Sequence, residues 1–227
     1  MSEKMSYASP PSHHFMNPAK FLTTAATVLA AVFLASCAKP KGTTDATGKF
    51  VNPNKPGTYE YFKAEPKYPQ TYDVWKNDQV LSRTNESNSH IVISLSKQRG
   101  YLMNGEEVAI DYPICSGIPA RPTPPGDYKI LEKTVDKKSN RYGRYVSESG
   151  ETVNGNVDAQ LDPVPEGAHF EGAEMRYWMR LTWDGVGHHI GPVKRHPASH
   201  ACVRGPSAVM PIVYSKVKLG TSVHVGE

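Results

Sequence analysis

The chain has 227 residues, with 26 Lys and Arg against 22 Asp and Glu and a formal net charge of +4. That length holds one medium domain with extensions, and a mild positive balance without a Lys/Arg stripe lacks the footprint of a nucleic-acid binder. Nineteen prolines and 18 glycines exclude an architecture of long helices and point to many turns.

The first informative segment is N-terminal. Lys20 precedes an uncharged, mostly apolar run, Phe21–Ala35. It falls short of the roughly 20 apolar residues of a bilayer span and reads as the apolar region of a secretory signal behind a positive flank. It ends in Leu-Ala-Ser-Cys, Leu34 to Cys37, which resembles the lipobox of bacterial lipoproteins. That resemblance implies a cleaved signal over 1–36, with Met16 as an alternative start, and lipid on Cys37. It also implies a protein anchored in the cell envelope on the periplasmic side. Ala38 follows Cys37, without the Asp that retains enterobacterial lipoproteins in the inner membrane, so the outer membrane is favoured where the organism has one.

Residues 37–75 are rich in Pro, Thr, Lys, Gly and Tyr without apolar periodicity, and are expected to form a flexible tether whose tyrosines dock onto the domain that follows. From Ser89 the pattern changes. Ile91, Ile93 and Leu95 alternate with neighbours of lower hydropathy, the period of a strand. Gly100 to Met103 runs into Asn104-Gly105, a hairpin signal, and Val108 to Ile114 is the return strand. A proline-stiffened loop leads to a strand near Asp127–Glu132. Residues 133–172 are polar and glycine-containing, long for a structureless loop, and are expected to be a lid or insertion. Met175–Trp183 reads as a strand, with Tyr177, Trp178 and Trp183 as core and Arg176, Arg180 and Arg195 solvated. One helix is expected between Pro206 and Gly220, starting at or kinked by Pro211, before a closing strand, Thr221–Val225. The domain, 76–227, is thus mainly β with one short helix.

Three cysteines are present. With Cys37 assigned to lipid, Cys115 and Cys202 sit in an oxidising compartment, where a disulfide between them is the ordinary expectation. Cys202 has other readings. It is a candidate buried hydrophobe. It is also a candidate nucleophile, because His188, His189, His200 and Arg204 surround it in sequence, and cations lower a thiol's pKa while a neighbouring base takes its proton. A zinc site from His188, His189, His196, His200 and Cys202 fits no standard ligand spacing, so no metal and no cofactor are expected.

The stretch Ser199-His200-Ala201-Cys202-Val203-Arg204, behind His189-Ile190-Gly191, resembles the active-site motif of the L,D-transpeptidases of the YkuD family, Ser-His-Gly-Cys-x-Arg or -Asn after a His-containing strand. Arg121 to Ile130 resembles the family's Thr-Pro-x-Gly entry into a strand, and Leu219 to Val225 its closing strand. The order is the family's over about 89–225. The resemblance implies a YkuD-like β-sandwich, Cys202 as nucleophile and His189 as the histidine that takes and returns the thiol proton, its ring oriented by the Ile190 carbonyl. It implies that Ser199, His200 and Arg204 shape the site and contact substrate, and that the backbone N–H groups of Ala201 and Cys202 face the oxyanion.

The implied partners are peptidoglycan stem peptides and, through the lipid, a membrane; no nucleic acid is implied, and oligomeric state is not legible. The implied reaction attacks the amide between the diamino acid and the D-amino acid of a tetrapeptide stem, forms a thioester, and passes the acyl group to an amine. The family trait of acylation by carbapenems is implied with it. Two other readings stand beside this one: a thiol hydrolase of the same bonds, and a non-catalytic peptidoglycan-binding lipoprotein. The latter draws on Ala201, which replaces the family's glycine and costs on the order of 1–2 kcal/mol if the position needs positive φ.

Overall fold

A computed structural model of the chain describes residues 42–227. The signal segment, the lipobox and Cys37 lie outside the described residues. In chain order the elements are β1 (Thr43–Thr44), β2 (Phe50–Val51), α1 (Tyr59–Ala64), β3 (Trp75–Lys76), α2 (Asp78–Arg83), β4 (Ser89–Ser94), β5 (Arg99–Asn104) and β6 (Glu107–Pro113). They continue with β7 (Gly126–Lys129), β8 (Glu132–Thr134), β9 (Lys138–Ser147), β10 (Thr152–Asp158), β11 (Ala168–Glu174), β12 (Trp178–Arg180), β13 (Gly187–Ile190), β14 (Val203–Gly205), α3 (Met210–Ser215) and β15 (Ser222–Gly226).

A six-stranded sheet runs β3-β6-β5-β4-β15-β7, and a four-stranded sheet runs β14-β13-β12-β8. The expected strand near 127–132 is two strands. At Ile130–Leu131 the chain leaves the larger sheet and enters the smaller one, so β7 and β8 belong to different sheets. The expected strand over 175–183 shortens to β12.

Alternation does the packing. Ile91 and Ile93 of β4, Leu102 of β5, Ile110 and Tyr112 of β6, and Val223 and Val225 of β15 share one core with Met179 of β12, Val203 of β14, and Met210 and Val213 of α3. Each such burial contributes roughly 1.5–3 kcal/mol. α3 carries Pro211 in its first turn, where a missing N–H costs nothing, and the carbonyls of Tyr214 in its last turn and of Val217 just beyond it accept from Lys133 Nζ.

One region departs from expectation in part, although its tyrosines dock onto the domain as expected. Residues 52–75 are not a free tether. They carry α1, capped by the Thr58 hydroxyl, and lie against the β-domain. The Tyr59 and Tyr68 hydroxyls donate to Asp111 at 2.7 and 3.1 Å. Together with α2, capped by Asn77, this makes three short helices rather than one. Six-residue helices have too few turns to show a 3.6 period, which is why composition alone read as linker. Most of residues 133–172, read as a lid or insertion, form a three-stranded antiparallel sheet, β10-β9-β11.

Candidate active site

The site is built where β13 and β14 run parallel, with His188 opposite Val203 and His189 opposite Arg204. Adjacent residues of a strand face opposite ways, and the two histidines divide accordingly. His188 is buried in the core. Its Nδ1 lies 2.8 Å from the Val203 carbonyl, which can only accept, so Nδ1 carries the proton and Nε2 takes the Tyr112 hydroxyl at 2.9 Å. Both ring nitrogens are thereby used within the core. Burial pushes its pKa down to about 4.

His189 faces the other way, into a cavity of about 260 Å3 that it shares with Cys202, Arg204, His200 and Tyr142. Its Nδ1 donates to the Ile190 carbonyl at 2.7 Å, which leaves Nε2 as a lone-pair acceptor. Burial, with help from the neighbouring His188 and Arg204, holds its pKa near 4 against that hydrogen bond. At neutral pH the ring is an uncharged base.

Cys202 opens β14 from the loop before it. Its thiol donates to the Gly185 carbonyl at 3.5 Å, on the turn between β12 and β13. The sequence pattern suggests a thiol lowered by cations. The structure gives the reverse balance: burial pushes the Cys202 thiol up, opposed by the Gly187 backbone and by Arg204 and Arg180. Burial therefore favours the protonated thiol and the neutral imidazole in the cavity that the two residues share.

The loop under Cys202 is held from several sides. Ala201 lies at φ +76°, so a left-handed conformation that favours glycine is borne here by alanine. Among the described residues neither the Ala201 nor the Cys202 amide has a hydrogen-bond acceptor. The Ala201 carbonyl accepts from the Thr123 hydroxyl at 2.7 Å, and that hydroxyl accepts from the Gly117 amide at 2.9 Å. Gly117 permits this: a Cβ there would stand 2.8 Å from Ala201 Cα and 2.3 Å from the Arg121 carbonyl. Thr123 is thus a site residue that the sequence motif marks only as the start of a strand entry.

Ser199 is buried, and its hydroxyl donates to the Cys202 carbonyl, so that group is committed to the loop. His200 and Arg204 are half-buried on the cavity wall. His200 packs against Tyr142 with the rings tilted and their centroids 4.4 Å apart, and burial lowers its pKa. Arg204 reaches the Ala198 carbonyl at 3.3 Å. Gly191 leaves room for that arginine rather than for a ligand, since a Cβ there would lie 2.8 Å from Arg204 Cγ and Cδ.

The three-stranded sheet supplies another wall through Ser139, Tyr142, Ala173 and Glu174, with Met175 just after it. A second cavity of about 590 Å3 continues the first, sharing Tyr142, His200 and Arg204 and running to the Arg144–Glu171 ion pair. The sheet is pinned to the domain by Asp158, which accepts from Arg141 at 2.9 Å and from Arg121 at 3.2 Å. The Arg141 guanidinium holds the Asp158 carboxyl at about 2, ionised throughout the physiological range.

Cys115 and Cys202 are both free. The Cys115 thiol is buried and donates to the His196 carbonyl at 3.2 Å, a different acceptor from the Gly185 carbonyl that receives Cys202. Two smaller expectations fail. Trp183 is 75% exposed at the tip of the β12–β13 turn, whereas Trp178 is core. Arg195 is buried, and Arg180 is half-buried, bonded to Glu132 at 2.6 Å.

The positive φ of Ala201 sets a prediction. Ala201→Gly is expected to stabilise the protein by about 1 kcal/mol, the left-handed penalty less the entropy glycine adds to the unfolded chain. It is also expected to raise turnover. Urea midpoints at unchanged m-value read the first effect; a drop of about 0.4–1 kcal/mol instead would show an unstrained alanine.

Among curated proteins none matches the chain. Solved structures similar to it include an L,D-transpeptidase from Mycobacterium smegmatis, 21% identical, TM-score 0.46, over 61% of this chain and 58% of that one. The catalytic domain of the Enterococcus faecium L,D-transpeptidase is 24% identical, TM-score 0.43, over 60% of this chain and 95% of that one. This chain spans under two thirds of the length of the M. smegmatis protein. The family model of the YkuD L,D-transpeptidase catalytic domain matches residues 88–225, from β4 through β15 and across every motif residue described above. The chain belongs to the YkuD family of L,D-transpeptidase catalytic domains.

Proposed function

We propose that this protein is a peptidoglycan L,D-transpeptidase working through a cysteine thioester. The observation that carries the reading is the cavity that Cys202 and His189 line together, with His189 Nε2 left free by the Nδ1 bond to Ile190 and the amides of Ala201 and Cys202 unpaired in the loop that enters it. In this reading Sγ attacks the carbonyl of the donor stem's diamino acid residue while His189 Nε2 takes the thiol proton. The two amides receive the developing oxyanion. The tetrahedral adduct collapses, the C–N bond breaks, and the imidazolium returns its proton to the departing D-amino acid. The thioester remains until an acceptor amine attacks it, His189 removing that amine's proton as the thiol leaves. Nothing in this sequence requires a metal or cofactor.

Arg204 and His200 are the substrate-facing groups of the proposal, and Ser199 and Thr123 are positioning residues that hold the Cys202 and Ala201 carbonyls turned away from the oxyanion site. The donor stem would lie along the larger cavity beside the three-stranded sheet, whose Tyr142 carries His200. Incubating the protein with disaccharide tetrapeptides and reading products by mass spectrometry tests the reading. Cross-linked dimers with loss of the terminal D-amino acid are expected. Tripeptide alone would reassign the acceptor to water, and unchanged substrate would favour a binding protein.

The proposal includes the lipid anchor at Cys37. Cys37→Ala is expected to abolish incorporation of a labelled fatty acid and to release the protein from membranes; undiminished labelling of that variant would refute the anchor.

A further inference from the structure

The loop that joins β13 to Cys202, residues 191–201, connects two parallel neighbours and contains neither helix nor strand. Parallel neighbours ordinarily need a crossover that packs on the sheet, so something else must hold this one. Near Cys202 it is held by backbone bonds: the Ala198 and Ser199 amides donate to the Ser116 carbonyl, and the Ile118 amide to Ser199.

Further back, the holding group is one side chain. Arg195 is buried and sits at φ +58°, a left-handed conformation that a bulky residue keeps only when its surroundings over-determine it. Its guanidinium donates to five backbone carbonyls. Three belong to the β-domain: Gln98, Lys97 at 3.2 Å and Ile114 at 3.4 Å. The other two are Pro69 and, at 3.4 Å, Gln70. Those two lie outside the region matched to the family, 88–225.

The same preceding segment is fixed from beneath by a second arginine. Arg99, ion-paired to the buried Asp111 at 2.6 Å, donates to the Thr71 and Asp73 carbonyls at 3.1 Å each. Asp111 in turn accepts the Tyr59 and Tyr68 hydroxyls. Four carbonyls within Pro69–Asp73 are therefore consumed by two guanidinium groups, one on a core strand and one on the nucleophile's loop.

We infer that Arg195 is a positioning residue for Cys202, and that the segment Pro69–Asp73 is, through it, a working part of the active site rather than a spacer before it. The inference rests on the transpeptidase reading only for its turnover readout. A five-carbonyl grip matters for catalysis because a displacement of about 1 Å at a reacting group costs on the order of 10²-fold in rate.

The test uses the full chain with Arg195→Gly, Arg195→Ala and Arg195→Lys. Glycine suits φ +58°, so Arg195→Gly removes the guanidinium without adding backbone strain. Expected for it is a kcat lowered roughly 10–100-fold with KM within about twofold, together with a displaced pH profile for alkylation of Cys202 by iodoacetamide. Backbone hydrogen exchange is expected to rise both in 192–201 and in 66–73, with β4 to β6 unchanged. Lysine, which keeps the charge but reaches fewer carbonyls, should recover part of kcat.

A folded Arg195→Gly with the wild-type alkylation profile and kcat overturns the inference, as does an exchange increase confined to the loop. Should the glycine and alanine variants not fold, Arg195→Lys decides: lowered kcat at an unchanged melting temperature supports the role, and wild-type kcat removes it. Alkylation and exchange need no substrate, so a wild-type protein that transfers no acyl group would sink the transpeptidase reading while leaving this test intact.

Discussion

Cys202→Ser is expected to lose all covalent labelling by a carbapenem and to lower acyl transfer by on the order of 10³-fold or more, since removing a nucleophile disables the whole catalytic unit. In the wild-type protein the added mass is expected on the peptide that contains Cys202 and nowhere else. Cys115 is the internal control: it is free but buried, its thiol turned to the His196 carbonyl, and should label only on unfolding. Tryptic mapping after carbapenem treatment, with and without reductant, reads the result. Label on Cys115 in native protein would refute the assignment. A requirement for reductant would point to a disulfide in place of the two free thiols.

The second large effect separates two adjacent histidines. His189→Ala is expected to slow turnover by on the order of 10²–10⁴, the usual loss of a general base, and to abolish the assisted alkylation of Cys202 near neutral pH. His188→Ala acts through another route. It leaves the Val203 carbonyl and the Tyr112 hydroxyl without their partner in the core, a loss of about 1–3 kcal/mol of stability for each buried group left unsatisfied, while the folded fraction keeps its chemistry. Measured together, alkylation rate and urea midpoint should move in opposite variants.

The pH profile adds a sign. Burial raises the Cys202 thiol and lowers His189 to about 4, which disfavours a preformed ion pair, so reactivity is expected to climb through pH 7 and above. A plateau between pH 4 and 7 would instead indicate a preformed thiolate–imidazolium pair. If His188→Ala proved the catalytically dead variant, the facing of β13 would be inverted.

Much of this was legible in the sequence because it is written at short range. Period-two alternation at Ile91 and Ile93, the Asn104-Gly105 turn and the helix at Pro211 are local signals, and the run from Ser199 to Arg204 is a contiguous motif. What escaped depends on partners far along the chain. Arg195 looks solvated until Pro69 and Gln98 supply its acceptors. Thr123 looks like strand punctuation until the Ala201 carbonyl arrives 78 residues later. The polar stretch around 138–174 lacks a core pattern because its sheet packs little of its surface inward: only Tyr145, Val146 and Val157 are buried apolar residues there. Trp183 misled in the opposite sense, its size suggesting core although it sits on a turn.

The place of β15 in the larger sheet carries a consequence for how the molecule comes into being. β15 pairs in parallel with β4 on one side and antiparallel with β7 on the other. Residues 222–226 are therefore the only link, among the described strands, between β7 and the rest of that sheet. A growing chain holds β4, β5 and β6 as a meander with one unpaired edge and β7 with nothing to join. The loop closed between β4 and β15 is long, and contacts of such separation form slowly. Folding is thus deferred until the chain has been made through β15. The pairing of His189 with the Cys202 loop, which depends on the same completed core, is deferred with it.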